Sequence, residues 1–376
     1  MTNLDGPRRA HTGELDAIIV LANEVTRAEQ GRPPTIATDY SFIYTPENAQ
    51  NIIVVMDGDR AVSMAGMWMN TVEAGAARLR AGGINCLATQ ADYRGQGLAT
   101  KVMDAAVAAM AEDGCHVGRL ATEIIDWYYR LGWENAGSMC IYELNHSNVV
   151  LLPELPEGFN FTDGNTFDDA TVASIVRLHQ EDRLGGVRTP SSMGDLLEAD
   201  SDAERMGQRR HVVAWRNGQA VAYLLDSRFG IVEWGGPEEL VAGLVRAWFV
   251  RRLGQRGGNQ PVGTRERVPD SQIMPLVAPT QGHAFLGRLN LMSVPCQTGY
   301  WGMLHIIDPR GILDAFGLQE IGVAETNGQF RLTRGDESVT VTRQELAKLL
   351  FGPERISDFC QDVLPLLFWE WPVEHV

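Results

Sequence analysis

The stretch that decides the fold is GGINCLATQADYRGQGLATKVMDAA, Gly82 to Ala106. Its apolar run predicts a strand ending near Thr89, and Leu98, Val102, Ala106 and Met110 share one face of a following helix that Gly114 stops. Between the two, Arg94-Gly95-Gln96-Gly97 leaves the backbone bare. A strand that passes into a helix through such a turn offers unpaired N–H groups and the positive end of the helix dipole, which together suit a pyrophosphate. The turn is neither G-x-G-x-x-G nor a Walker A loop, so the ligand is not read as a dinucleotide or a P-loop nucleotide. The alternative is a turn that needs positive φ and binds nothing.

Outward from this point the order of elements is that of an α+β domain. LDAIIVLANEVT, Leu15 to Thr26, has the period of an amphipathic helix, and the proline-bearing segment after it reads as a loop or broken helix. NIIVVMDGDRAVSMAGM is a hairpin about Asp57-Gly58. GRLATEI and MCIYEL supply further strands, which completes a first unit over residues 1–149. RHVVAWRNGQAVAYLLD, Arg210 to Asp226, repeats the hairpin about Asn217-Gly218, and the helical GGPEELVAGLVRAWFVRR follows. A weak internal duplication over 150–278 is the reading, and this second copy lacks the Arg-Gly-x-Gly turn. GQRGGNQPVG reads as an exposed loop, with strands around AFLGRLN. A third α+β unit, 279–376, contains the hairpin GQFRLTRGDESVTVT and the helix RQELAKLLFG, opened by a Thr342-x-x-Glu345 capping box.

Composition narrows the function classes. At 376 residues the chain is long enough for two or three domains at roughly 150 residues each. A hydrophobic share of 44% and a charged share of 21% are those of a globular protein in water. The net charge of −16 argues against nucleic acid; it would steer a cationic small molecule or peptide, and equally it is what an acidic surface that keeps the protein dispersed would show. Five scattered cysteines form no C-x-x-C pair and the eight histidines have no ligand spacing, so no metal is expected and a reducing cytoplasm is. Cys86 reads as a buried structural thiol, and the basic run Arg251 to Arg256 as a solvated helix end. No signal core and no apolar run of about 18 residues is seen, so neither secretion nor a membrane partner is expected.

ATQADYRGQGLAT resembles the acetyl-CoA-binding motif of the GNAT N-acetyltransferases, carried by Tyr93, Arg94, Gly95, Gln96, Gly97 and Leu98, with Gln90 or Arg94 at the first basic or glutamine position. WYYRLGWENAG, Trp127 to Gly137, is similar to that family's FYxxxGF turn. The whole chain, with GMLHIIDPRGILDAFG and LPLLFWEWPVEHV near its end, resembles the Eis-type acetyltransferases: two GNAT-like domains, the second degenerate, and a sterol-carrier-like α+β domain.

The resemblance implies acetyl-CoA as co-substrate, a primary amine as acceptor (aminoglycoside-like, polyamine or lysine) and a symmetric homo-oligomer such as a hexamer. It implies Tyr128 as general acid, with Tyr129 its rival, and the terminal carboxylate of Val376 as general base. Glu374 or His375 is the alternative base, because the tail does not end in an aromatic residue. Leu87, Ala88 and Thr89 are the implied pantetheine strand. Arg94, Gly95, Gln96, Gly97, Leu98, Ala99 and Thr100 are the implied pyrophosphate turn, and Thr122 and Glu123 a pair beside the acyl group. Two other classes stay open: a non-catalytic acyl-CoA sensor and a lipid-binding protein.

Overall fold

The structure is a computed structural model, and it describes residues 4–198, 209–256 and 273–374. One sheet runs through most of it. Its strands in chain order are β1 (Leu4–Arg9), β2 (Ile52–Asp57), β3 (Arg60–Ala74), β4 (Ala77–Thr89), β5 (Val117–Leu120), β6 (Glu134–Leu144), β7 (Asn160–Gly164), β8 (Leu184–Gly186), β9 (Arg210–Arg216), β10 (Gln219–Ser227), β11 (Gly230–Gly235), β12 (Met274–Pro279) and β13 (Cys296–Ile306). Across the sheet the order is β1-β2-β3-β4-β5-β13-β6-β12-β11-β10-β9-β7, with β8 added to β3. A second sheet holds β14 (Gly322–Thr326), β15 (Gln329–Arg334) and β16 (Glu337–Thr342).

The local signals account for the hairpins and the main helices. Gly58-Asp59, one residue on from the expected Asp57-Gly58, and Asn217-Gly218 turn their hairpins, and the Leu15–Thr26 helix has the bounds the apolar period sets. The helix Leu98–Glu112 buries Leu98, Val102, Ala106 and Met110 against the sheet. Met110 presses on Gly82, where an added Cβ would lie 2.7 Å from its side chain, and Trp133 presses in the same way on Gly118 at 2.9 Å. These two glycines give β4 and β5 a bare surface on the helix side, so that the helix packs close. The Thr342 capping box forms as expected and starts the helix Arg343–Phe351.

Four expectations are corrected. The first unit is not complete by residue 149, because β13, from far along the chain, lies between β5 and β6 and pairs with both. β13 is long enough to serve both: Met303–Ile306 pair with β5, and the stretch from Cys296 to Leu304 pairs with β6. AFLGRLN is a helix, Ala284–Leu291: Phe285, Leu286 and Leu289 recur at helical spacing in the core and His283 Nδ1 caps the Phe285 N–H at 3.1 Å. GRLATEI is strand only to Leu120, after which a short helix, Ile125–Tyr129, begins. Arg251 and Arg252 are not merely solvated, since they pair with Asp163 and Asp226, each at 2.6 Å. Most of GQRGGNQPVG lies outside the described residues.

Candidate active site

β4 and β5 run parallel, but only over Ala81↔Val117, Gly82↔Gly118 and Gly83↔Arg119. Beyond Gly83 the pair separates, and Ile84 to Thr89 have no strand partner on that edge among the described residues. On the other edge, β4 advances three residues, from Asn85 to Ala88, where β3 advances two, from Gly66 to Met64. The extra residue is accommodated at Cys86, whose φ is +51°. Such a bulge bends the strand and increases its twist, which helps turn its end away from β5. The result is a fork with its closed end at Gly83 and Arg119.

The glycine turn stands at the open end of this fork. Gly95 and Gly97 have φ of +77° and +75°, and a Cβ on either would meet no atom within 4 Å. The bare backbone is therefore not needed for packing against the described residues. None of the N–H groups from Gly95 to Thr100 donates to a backbone carbonyl among the described residues, and no acidic residue occupies the helix's first turn. These are the conditions for an anion site at a helix N-terminus. Tyr93 anchors the turn to the hairpin through a 2.5 Å hydrogen bond to Asp57. Arg94 latches it: Nε donates to the Thr89 carbonyl at 3.0 Å and Nη2 to both oxygens of Glu29 at 2.7 and 2.8 Å.

The other residues of the turn divide between packing and donation. Gln96 is exposed and its side-chain amide donates back to the Asp92 carbonyl at 3.3 Å, which steadies the loop. Leu98 is buried and roots the helix in the core, whereas Ala99 and Thr100, the next two residues of the first turn, are half-buried. Ala99 has no polar side-chain atom, so its backbone N–H is all it can offer an anion.

Leu87 and Thr89 are half-buried and Ala88 is buried, all on the open part of β4. Tyr128 lies in the short helix after β5, buried between Trp127 and Trp133 with ring centroids at 4.8 and 6.3 Å. Burial and nearby Cys86 push its phenol up to about 12, so it stays protonated at neutral pH. Its hydroxyl makes no hydrogen bond to the described residues, whereas Tyr129, the rival, is exposed. Thr122 accepts the Ile124 N–H at 3.1 Å, which engages it in its own loop, and Glu123 is exposed. Cys86 is half-buried and burial raises its thiol, so it is a poor nucleophile, in keeping with a structural role.

The tail packs inward, as its apolar content predicts: Leu366 through Trp371 and Val373 are all buried. Val376 and His375 lie outside the described residues. Glu374 is fully buried and its carboxylate is fully engaged, accepting from Gly186 N at 3.0 Å, Arg188 Nε at 2.7 Å and Trp371 N at 2.7 Å. Burial would raise it, but Arg188, His179 and these hydrogen bonds hold it below the usual carboxylate range. A carboxylate so held is an anchor rather than a base. Glu370 is the residue that sequence reasoning missed. It is fully buried, 2.6 Å from Arg119 Nε on β5, and accepts from Asn70 Nδ2 on β3 at 2.6 Å. Only the charged residue inside an apolar tail signalled it in the sequence.

Residues 7–136 match the family model described as an acetyltransferase (GNAT) domain. The chain is accordingly an acyltransferase with a GNAT domain at its N-terminal end. No curated protein matches it in sequence. Among solved structures it is similar to a probable N-acyltransferase from Enterococcus faecalis, at 13% identity and a TM-score of 0.61, covering 93% of this chain and 89% of that one. Eis1 from Mycobacterium abscessus is similar at 12% identity and 0.59, covering 93% and 90%. A GCN5-related N-acetyltransferase from Kribbella flavida is similar at 15% and 0.58, covering 92% and 87%. These likenesses show that the mixed α/β fold extends along nearly the full chain. GNAT acetyltransferases use acetyl-CoA, and no helix among the described residues is long and apolar enough to cross a membrane.

Proposed function

We propose that the protein transfers an acetyl group from acetyl-CoA to a primary amine by direct attack in a ternary complex. The observation that carries this reading is the fork of β4 and β5 beside an open glycine turn whose amides are unspent. In this reading the N–H groups of Gly95, Gln96, Gly97, Leu98, Ala99 and Thr100 hold the pyrophosphate, and the free edge of Leu87, Ala88 and Thr89 pairs with the pantetheine amides. The amine nitrogen attacks the thioester carbon, a C–N bond forms, the C–S bond breaks, and Tyr128 protonates the departing sulfur. A phenol left without a hydrogen-bond partner and kept neutral by burial suits that step. The ammonium proton goes to a base, which the resemblance assigns to the Val376 carboxylate. Arg94 acts by fixing the turn, while Thr122 and Glu123 line the loop after β5.

The same reading makes residues 150–278 a degenerate second GNAT-like unit and the C-terminal part a sterol-carrier-like unit. Support for the former is the repeated strand order β9-β10-β11-β12, which mirrors β2-β3-β4-β5. A homo-oligomer in the cytoplasm and an aminoglycoside-like, polyamine or lysine acceptor complete the proposal, the acceptor being favoured by the net charge of −16. Thiol release from acetyl-CoA across a panel of amines tests it: binding without release with any amine would sink the enzyme reading in favour of a sensor. Tyr128→Phe is expected to lower kcat about 100-fold with little change in acetyl-CoA affinity. Normal turnover in that variant would remove Tyr128 from the mechanism.

A further inference from the structure

At the closed end of the fork, three neighbouring strands place Trp68 (β3), Gly83 (β4) and Arg119 (β5) in one row, and Asn70, Ala81 and Val117 in the next such row. The helix Leu98–Glu112 and Trp133 cover the opposite face, where they crowd Gly82 and Gly118. With no side chain on Gly83, the Arg119 guanidinium reaches across β4 to within 5.3 Å of the Trp68 ring centroid, and it lies 5.9 Å from that of Trp301. Glu370 from the tail descends onto these rows and meets Arg119 in one and Asn70 in the other.

Two of the polar atoms gathered there, Arg119 Nη2 and Asn70 Oδ1, are buried without a hydrogen-bond partner among the described residues. Arg119 Nε and Glu370 Oε2 face each other as an ion pair at 2.6 Å that lacks hydrogen-bond geometry. Glu374 beside it accepts from three donors, whereas Glu370 accepts one hydrogen bond, from Asn70 Nδ2. Buried polar atoms are normally paired, and two exceptions beside a carboxylate that accepts a single hydrogen bond mark a place for an absent partner.

The distance along β4 says which partner. From Thr89, next to the pyrophosphate turn, back to Gly83 is six residues, about 20 Å at a strand's rise. That is on the order of an extended pantetheine arm, so a thioester threaded into the fork would sit in its closed half. We propose that Glu370, held by Arg119 and Asn70 over the bare backbone of Gly83, is the proton acceptor for the incoming ammonium, acting through one water. This rests on the acetyl-transfer reading above. The first proton leaves the ammonium for the Glu370 carboxylate before the C–N bond forms; as the C–S bond breaks, Tyr128 gives its proton to the sulfur, and the nitrogen's second proton restores the Tyr128 phenol, so that atoms and charge balance. Burial and neighbouring Glu374 raise the Glu370 carboxyl to about 7, against the pull of Arg119, Asn70 and Arg188, which suits a base working at neutral pH.

The test combines a pH profile with two kinds of amine. For an ordinary alkylamine, wild-type kcat should rise about tenfold per pH unit below roughly pH 7 and level off above, since the base must be deprotonated. Trifluoroethylamine, largely unprotonated at neutral pH, should show no such limb. Glu370→Gln should lower kcat about 100-fold with the alkylamine and less than about tenfold with trifluoroethylamine, at unchanged acetyl-CoA affinity. Equal losses with both amines, or an alkylamine rate near wild type, would overturn the assignment. If Glu370→Gln does not fold, the two wild-type profiles decide: an acid limb common to both amines overturns it. A tag after Val376 that preserves the rate supports Glu370, while loss there with Glu370→Gln intact returns the role to Val376. A wild type that releases no thiol with any amine overturns the acetyl-transfer reading itself.

Discussion

Two strand–helix–strand units stand in the same relation within one sheet and differ in what their turns enclose. In the first, β4 leads through Gly95 and Gly97 into the helix Leu98–Glu112 and on to parallel β5; in the second, β11 leads through Gly235 and Gly236 into the helix Glu238–Arg256 and on to parallel β12. Glycine marks both turns, for opposite reasons. A Cβ on Gly236, at φ +116°, would lie 2.7 Å from the Val221 carbonyl, and one on Gly235 would lie 2.7 Å from Asp182 Oδ2. Asp182 already takes the Gly236 N–H at 2.9 Å. Pro237 brings no N–H, and Glu238 and Glu239 place negative charge in the first turn. An anion finds neither donors nor a favourable field there. Instead of an open fork, the second unit has Trp234, bonded to the Val277 carbonyl at 3.1 Å, and the buried pair Arg188–Glu233 at 2.7 Å. The space that stays open at one turn is filled at the other by side chains of the protein itself.

The comparison is broken most severely by Arg188→Ala. That change leaves Glu233 and Glu374 buried with their cation gone, and the expected loss of stability is about 3–5 kcal/mol in urea unfolding, with acetyl-CoA affinity of the folded fraction unchanged. A loss under about 1 kcal/mol would show that the second unit does not depend on this filling. Gly97→Val tests the first unit. A β-branched side chain at φ +75° is strained and would project into the open space over the amides, so acetyl-CoA should bind about 100-fold more weakly, about 2.7 kcal/mol by titration calorimetry. Unchanged affinity would mean that the turn is only a turn. The smallest effect is expected of Arg94→Ala. Its guanidinium is committed to Glu29 and Thr89 and is half-exposed, so stability should change by less than about 1 kcal/mol and acetyl-CoA affinity less than about tenfold. A larger fall in affinity would give Arg94 a direct phosphate contact.

Much of this was legible in the chain itself. The hairpins at Gly58-Asp59, to within one residue, and at Asn217-Gly218, the helix after Gly97 and the Thr342 cap all follow from local chemistry that acts within a few residues. The inward packing of the tail was legible too, because so many large apolar side chains cannot remain in water. AFLGRLN was misread because its apolar residues suit either period over so short a run. Arg94 was recognised by its motif, but its commitment to Glu29, sixty-five residues away, is a contact that no motif records.

The sequence by itself thus determined the turn: Gly95 and Gly97 permit positive φ, and the helix behind them leaves its amides unpaired, whatever the rest of the chain does. Only the tertiary structure decided that this turn is open while its counterpart at Gly236 is closed, since that depends on Asp182 and Val221 arriving from other elements. It also decided that β13 completes the first unit's sheet and that Glu370 rests against Arg119 across Gly83. Such long-range meetings are set by sheet order and burial, and residues some 250 positions apart carry no local signal of one another.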